Sequence, residues 1–302
     1  MPVLRKMPNE FDFINWLKQQ SPRDERIVVP LGDDLAAMKW AGDDLLLVGV
    51  DQVLDGVHFD SAIHSPKLIG RKAMNRNLSD CAAMACLPAA AVCTVALPKG
   101  VGEDYAKELY AGMREAADVF NCPIIGGDTG SWPGKLVVTV TILGRSAGVP
   151  PITRSGAKPG DSIYVTGPLG GSISGRHMTF EPRVEQARSL ALTGFVTSMI
   201  DLSDGLSRDI QHLCKQSGVG AEILADLIPI DEAATRAFRE DRISPLDHAL
   251  NDGEDYELLF TSSGSGGPVI QIGKVTKDPA IVLVAGDGSR KPLELRGWEH
   301  SL

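Results

Sequence analysis

The chain has 302 residues, 43% hydrophobic and 23% charged, and Lys+Arg 30 against Asp+Glu 39 leaves a net charge of −9. That length allows two domains with substantial cores, and the lack of any Lys/Arg-rich run excludes a nucleic-acid backbone as partner. No apolar run reaches the roughly 20 residues that cross a bilayer, and residues 1–10 have no signal-peptide core, so the expectation is a cytoplasmic protein off the membrane.

Asn9 is a candidate cap for a first helix with Phe11, Ile14 and Leu17 on one face and Pro22 beyond its end. A short strand over residues 26–31 leads into Gly32-Asp33-Asp34. The apolar run 45–50 reads as a strand buried on both faces, entering Asp51 and then Asp55-Gly56-Val57-His58-Phe59. Pro66 opens a helix to about Ala85, residues 89–97 form a third strand, and 102–120 form an amphipathic helix. Ile124-Ile125 reads as the end of a strand that turns at Gly126-Gly127-Asp128-Thr129-Gly130, and residues 136–143 form a β-branched strand.

Residues 146–160 carry three prolines, three glycines, Arg154 and Lys158, and read as a connection between domains. Beyond it come a strand over 161–166, a Gly-rich turn to Gly171, a helix over 184–192, Asp201-Leu202-Ser203-Asp204-Gly205, and a helix to about Gln216 closed by Gly218. Residues 221–224 are strand-like and 231–240 helical. Asn251-Asp252-Gly253-Glu254-Asp255-Tyr256-Glu257 then enters a strand over 258–261, Gly264 to Gly267 is a flexible loop, and 269–275 and 280–284 close the sheet. Cys81, Cys86, Cys93, Cys122 and Cys214 form no CxxC pair and read as reduced, mostly buried thiols.

Five places share one pattern, an apolar strand or helix followed by Asp beside Gly, Ser or Thr. They end in Asp34, Asp51, Asp80, Asp128 and the Asp201/Asp204 pair. Any one of these is an ordinary cap or turn. Five converging carboxylates repel one another and need cations, and hard divalent ions that share oxygens with phosphate suit them. The missing His/Cys cluster argues against zinc. No Walker A loop, no GxGxxG after the first strand and no GxSxG elbow is present.

In these segments the chain resembles the thiamine-monophosphate kinases, of the superfamily that includes aminoimidazole ribonucleotide synthetase and selenophosphate synthetase. The matching stretches include Asn77-Leu78-Ser79-Asp80, Ile125-Gly126-Gly127-Asp128-Thr129, Arg154-Ser155-Gly156-Ala157-Lys158-Pro159-Gly160-Asp161 and Gly253-Glu254-Asp255-Tyr256-Glu257, in order over nearly the whole chain. The resemblance implies two mixed-sheet α/β domains: residues 1–146 for ATP, Mg²⁺ and dimerisation, and 147–302 on the substrate side as an α/β sandwich. It implies a homodimer whose N-terminal strands pair into a β-barrel, with nucleotide near that interface. Asp34, Asp51, Asp80, Asp128, Asp201 and Asp204 would hold several Mg²⁺ ions. Gly127, Asp128, Arg154, Ser203 and Tyr110 would contact ATP, and His58, Glu254 and Trp298 would contact thiamine monophosphate.

The implied reaction is phosphoryl transfer from ATP to the phosphate of thiamine monophosphate. That acceptor oxygen is already ionised near neutral pH, so positioning and charge neutralisation suffice without a general base. The chain departs from the family at three places: Gly49-Val50 replaces Ser-Thr before Asp51, the stretch from Gly175 to Pro182 is short, and so is the segment after Thr261. These departures keep two alternatives open, a related enzyme with another acceptor and a nucleotide-binding scaffold without turnover.

Overall fold

The computed structural model describes residues 17–19, 24–264 and 267–297. The expected cap Asn9, Phe11, Ile14, Pro22, Ser265, Gly266 and the proposed ligand contact Trp298 lie outside the described residues.

The first half supplies β1 (Ile27–Val29), β2 (Ala36–Ala41), β3 (Asp44–Leu54), α1 (Pro66–Ala83), β4 (Leu87–Pro98), α2 (Glu103–Val119), β5 (Ile124–Trp132) and β6 (Val137–Arg145). Its six strands lie in the order β1-β2-β3-β6-β4-β5. The alternation of β6 explains which face is covered. Val138, Val140 and Ile142 are fully buried against the helices, while Thr139 and Thr141 point to the other face. This sheet does not close into a barrel within the chain; among the described residues β5 pairs only with β4.

The second half supplies β7 (Ser162–Val165), α3 (Val184–Leu192), β8 (Val196–Asp201), α4 (Leu206–Ser217), β9 (Gly220–Leu224), α5 (Glu232–Asp241), α6 (Pro245–Asn251), β10 (Leu258–Ser262), β11 (Ile270–Thr276), β12 (Ile281–Val284) and β13 (Arg290–Pro292). The seven strands run β13-β12-β9-β11-β7-β10-β8. One face packs on α4 and α6 through Ile163, Ile200, Ile210 and Leu259. The other receives Ala82 and Ala85, at the end of α1, together with α3. Helix α1 is therefore wedged between the two sheets. Ser65 caps it by accepting the Leu68 N–H, and Pro66 sits in its first turn, where no N–H partner is needed. Arg188 of α3 donates to the carbonyls of Ala85, Ser146 and Ala147, fastening the connection between the halves to the C-terminal end of α1.

Several elements differ from the sequence reading, among them strand β13, which it lacks, and β8, which it leaves unassigned. Gly126 to Gly130 is not a turn: it continues β5, in parallel register with Val92 to Ala96. Gly127 serves close approach instead, since a Cβ there would sit 1.9 Å from the Cys93 carbonyl oxygen, whereas one on Gly126 or Gly130 would meet open space. Strand β2 and the short helix α6 were not read as elements at all. β2 is too polar and exposed at Lys39 and Trp40 to alternate clearly, and α6 is only seven residues long.

Helices α1 and α2 meet backbone to backbone. A Cβ on Gly112 would lie 1.9 Å from the Lys67 carbonyl oxygen, and one on Gly70 2.0 Å from that of Leu109. Gly112→Ala must push the helices apart, and is expected to cost about 1–3 kcal/mol as overpacking does. A urea denaturation midpoint lowered accordingly, with unchanged far-ultraviolet circular dichroism, is the check.

Candidate active site

One face of α1 carries Lys72, Arg76 and Asp80 at helical i, i+4, i+8 spacing. All three charges point into the cleft between the sheets, and each meets a partner from elsewhere in the chain.

Asp80 meets two carboxylates. Oxygens of Asp34, Asp80 and Asp201 all lie within 4.8 Å of one another. Asp34 comes from the bend after β1, and Asp201 is the last residue of β8, so three distant segments converge. Ser79 Oγ donates to Asp201 Oδ2 at 2.6 Å. Arg154 clamps Asp34 with Nε at 3.2 Å and Nη2 at 2.7 Å, a bidentate pair. Its backbone N–H also donates to Asp33. Burial, with the nearby charges of Asp51, Asp201 and Asp34, pushes Asp80 well above the usual carboxylate range. Asp201 is pushed up to about 7 by burial and by Asp34, and Asp33 to about 6 by burial and by Asp34. A donor set of this kind, all oxygen, crowded and short of positive charge, fits a hard divalent cation.

Arg76 joins this cluster to a second region. Its Nε donates to Asp51 Oδ2 at 2.7 Å and its Nη1 lies 3.5 Å from Glu254 Oε1. Asn77 Oδ1 accepts the Asp51 N–H and fixes that strand against the helix. Glu254 also binds Lys72, whose Nζ is 2.5 Å from Oε2, and His177, whose Nδ1 is 2.8 Å from the same oxygen. Burial opposes the Glu254 charge, yet His177, Lys72 and Arg76 together hold the carboxyl down at about 2. Burial in turn lowers Lys72 to about 8 against the pull of Glu254. His58 accepts the Leu54 N–H at Nδ1, and burial lowers it to about 4, so it presents a neutral ring. His58, Arg76, His177, Ser203, Asp204 and Glu254 are among the residues that line a cavity of ≈ 430 Å³.

The two loops behind this cavity are interlocked. Glu254 N–H donates to the Ser203 carbonyl and Tyr256 N–H to that of Leu202. Gly253 has φ 73 and touches this turn so closely that a Cβ would lie 2.7 Å from the Ser203 oxygen. Glu254 and Tyr256 adopt φ 53 and φ 51, conformations that cost non-glycine residues energy; the ion pairs above hold Glu254, and the bond to Leu202 with the stack on Phe180 holds Tyr256. Asp204 groups with Asp209 and His212 rather than with Asp34, Asp80 and Asp201.

Gly127, Asp128 and Tyr110 stand apart. They line a groove of ≈ 250 Å³ between α2 and β5. Register runs Asp51, Val140, Cys93, Gly127 across the sheet, three strand spacings or about 14 Å. Residues 125–132 of β5 are all exposed. Within one chain, then, Asp34, Asp80 and Asp201 are together, Asp51 is tied in through Arg76, and Asp128 faces outward at the far edge.

Comparison with known proteins gives this arrangement a family. Residues 32–146 match the model for the AIR synthase related protein, N-terminal domain. The thiamine-monophosphate kinase of Rhodopirellula baltica is 41% identical over 88% of this chain and 89% of its own length. That of Bacillus subtilis is 31% identical over 97% and 99%. The chain belongs to the thiamine-monophosphate kinase family. Among solved structures, AaThiL complexed with AMPPCP and TMP superposes with TM-score 0.86 at 28% identity, covering 98% of this chain and 100% of that one. Hydrogenase maturation protein HypE in complex with ATP shares the fold at TM-score 0.68 and 19% identity, covering 86% of this chain and 87% of that one.

Reading motifs one at a time, as kinases of this family invite, passes over Lys72, Arg76 and His177. A signal was available for the first two: charges at i, i+4 and i+8 along one face of a helix. His177 carried none, because the short turns at Ser172–Ser174 and Arg176–Met178 bring it to Glu254 only in three dimensions.

The crowding at Asp80 has a measurable cost. Asp80→Asn removes a repelled, buried charge and is expected to raise the melting temperature of the metal-free protein by about 2–4 °C per kcal/mol relieved. Mg²⁺ is expected to raise the melting temperature of the unsubstituted protein, and Asp80→Asn to weaken that rise. Thermal melts with and without Mg²⁺ measure both effects.

Proposed function

We propose that the chain transfers the γ-phosphoryl group of ATP to the phosphate of thiamine monophosphate, giving thiamine diphosphate and ADP, with the cleft between the sheets as the site of transfer. The observation that carries this reading is Arg76, which spans the carboxylate cluster and the cavity by touching Asp51 and Glu254 at once. Donor-side and acceptor-side groups are thereby neighbours, as in-line transfer requires. A cavity of ≈ 430 Å³ is in the range of small-molecule sites. Among the relatives, AaThiL was solved with AMPPCP and TMP together.

A phosphate oxygen of the acceptor attacks the γ-phosphorus, and the bond from that phosphorus to the bridging oxygen of ADP breaks. The acceptor oxygen is ionised, so no side chain has to remove a proton. Asp34, Asp51, Asp80 and Asp201 would hold Mg²⁺ as an oxygen donor set, with Asp204 in a separate group with Asp209 and His212; a bound Mg²⁺ would neutralise phosphate charge. Arg154 and Arg76 supply guanidinium forks able to bind phosphate bidentately once their carboxylate partners turn to the cation. Glu254 offers an anion to the thiazolium ring, and His58 and Ser203 line the same wall.

Gly127, Asp128 and Tyr110 enter this reading through a homodimer. A nine-residue edge strand with Ile125 64% exposed and Trp132 43% exposed is a surface that natural proteins cover. Pairing of the N-terminal strands of two copies into a barrel covers it and sets nucleotide near the interface. Residues 1–146 then form the ATP, Mg²⁺ and dimerisation domain and 147–302 the substrate-side domain. No helix among the described residues is long and apolar enough to cross a membrane. The five cysteines are free and buried, as suits the reducing cytoplasm.

Purified protein with ATP, Mg²⁺ and thiamine monophosphate is expected to yield thiamine diphosphate and ADP, followed by chromatography. Absence of thiamine diphosphate sinks the reading. Asp128→Asn is expected to lower turnover at least 100-fold, on the scale of losing one electrostatic contact to the transferred group, with an unchanged melting curve; near-normal rates count against its metal role. Ile125→Lys is expected to shift the protein toward monomer in light scattering, and retention of a dimer argues against the β5 interface.

A further inference from the structure

The site contains a lysine that no ligand can reach. Lys72 is 0% exposed, and its Nζ is fully engaged: it donates to the His58 carbonyl oxygen and to Glu254 Oε2, and lies 2.7 Å from His177 Nδ1. An ammonium has three donors, and three partners surround it. Two of these, His58 and Glu254, belong to the acceptor wall, yet they come from segments nearly two hundred residues apart. The third, His177, lines the same cavity and also touches Glu254.

We infer that Lys72 is a positioning residue for the acceptor, locking the Glu254 carboxylate and the His58 loop into one geometry, with His177 as the side wall of that lock. The inference rests on the acceptor-pocket reading above. Glu254 Oε2 is held by Lys72 and His177 and Oε1 by Arg76, so its rotamer is determined from both ends. The His177 nitrogen accepts from Lys72 in one tautomer and donates to Glu254 in the other, and the ring stays seated in either. Without the ammonium, Glu254 retains Arg76, but the His58 loop loses its tie to α1. Lys72 also cannot serve as a phosphate contact, because helix and partners enclose it on every side. Its effect must pass through Glu254 and His58, and it must fall on the acceptor rather than on ATP.

A double-mutant cycle on the full-length protein tests this. Lys72→Met keeps the buried stem and removes the donors; Lys72→Gln is the second variant should the first fail to fold. Either is expected to raise KM for thiamine monophosphate about tenfold or more, the scale of one lost charge-assisted hydrogen bond, with KM for ATP within twofold of the unsubstituted enzyme. Glu254→Gln alone raises the same KM, and adding Lys72→Met to it makes little further difference, because the two act as a unit. Equal increases in both KM values, unchanged KM in folded variants, or additive effects in the double variant overturn the inference. Lack of thiamine diphosphate with the unsubstituted enzyme is a separate outcome and counts against the function itself.

Discussion

A charged face on a buried helix is the constraint on which this structure depends. Lys72 is fully buried and Arg76 and Asp80 are largely enclosed, since α1 is wedged between two sheets, and an unpaired buried charge costs several kcal/mol. Each sheet must therefore bring partners to the helix. The first supplies Asp51. The second supplies Glu254 for Lys72 and Arg76, and Asp201 beside Asp80, held by Ser79. Correct docking of the halves and assembly of the site are consequently the same event.

The lower part of this stripe is balanced and the upper part is not. Around Glu254 two cations and a histidine meet one carboxylate. Around Asp80 gather Asp34, Asp51 and Asp201, with Arg154 clamping Asp34 and Arg76, shared with Glu254, paired to Asp51. That imbalance is a strain stored where a cation is wanted, the usual exchange of stability for function. The raised carboxyls of Asp80 and Asp201 and the depressed one of Glu254 are two ends of one gradient along a single helix face.

The glycines follow the same logic of close approach. Gly70 and Gly112 let α1 and α2 touch at the backbone, Gly127 lets β5 lie on β4, and Gly253 lets its loop press on Ser203. The segment from Gly175 to Pro182 supplies a wall of the cavity, because two tight turns are enough to carry His177 to Glu254.

Local pattern determined much of this from the sequence. The periodicity of α2, the β-branched alternation of β6, Pro66 at the start of α1 and Gly218 at the end of α4 depend on neighbours within a few residues, so they were legible. So were the acidic motifs, since Asp beside Gly at the end of an apolar run is a local signature. Which carboxylates meet was not local. Asp34, Asp80 and Asp201 converge because α1 lies between two sheets, while Asp128, with the same signature, lies on the edge strand β5, three strands across the sheet from β3. The GGDTG stretch looked like a turn because glycine permits one; strand pairing with β4 overrode that propensity. Lys72 and His177 acquire a role only from being 2.7 Å apart, a distance that a sequence separation of 105 leaves open and that the packed fold alone decides.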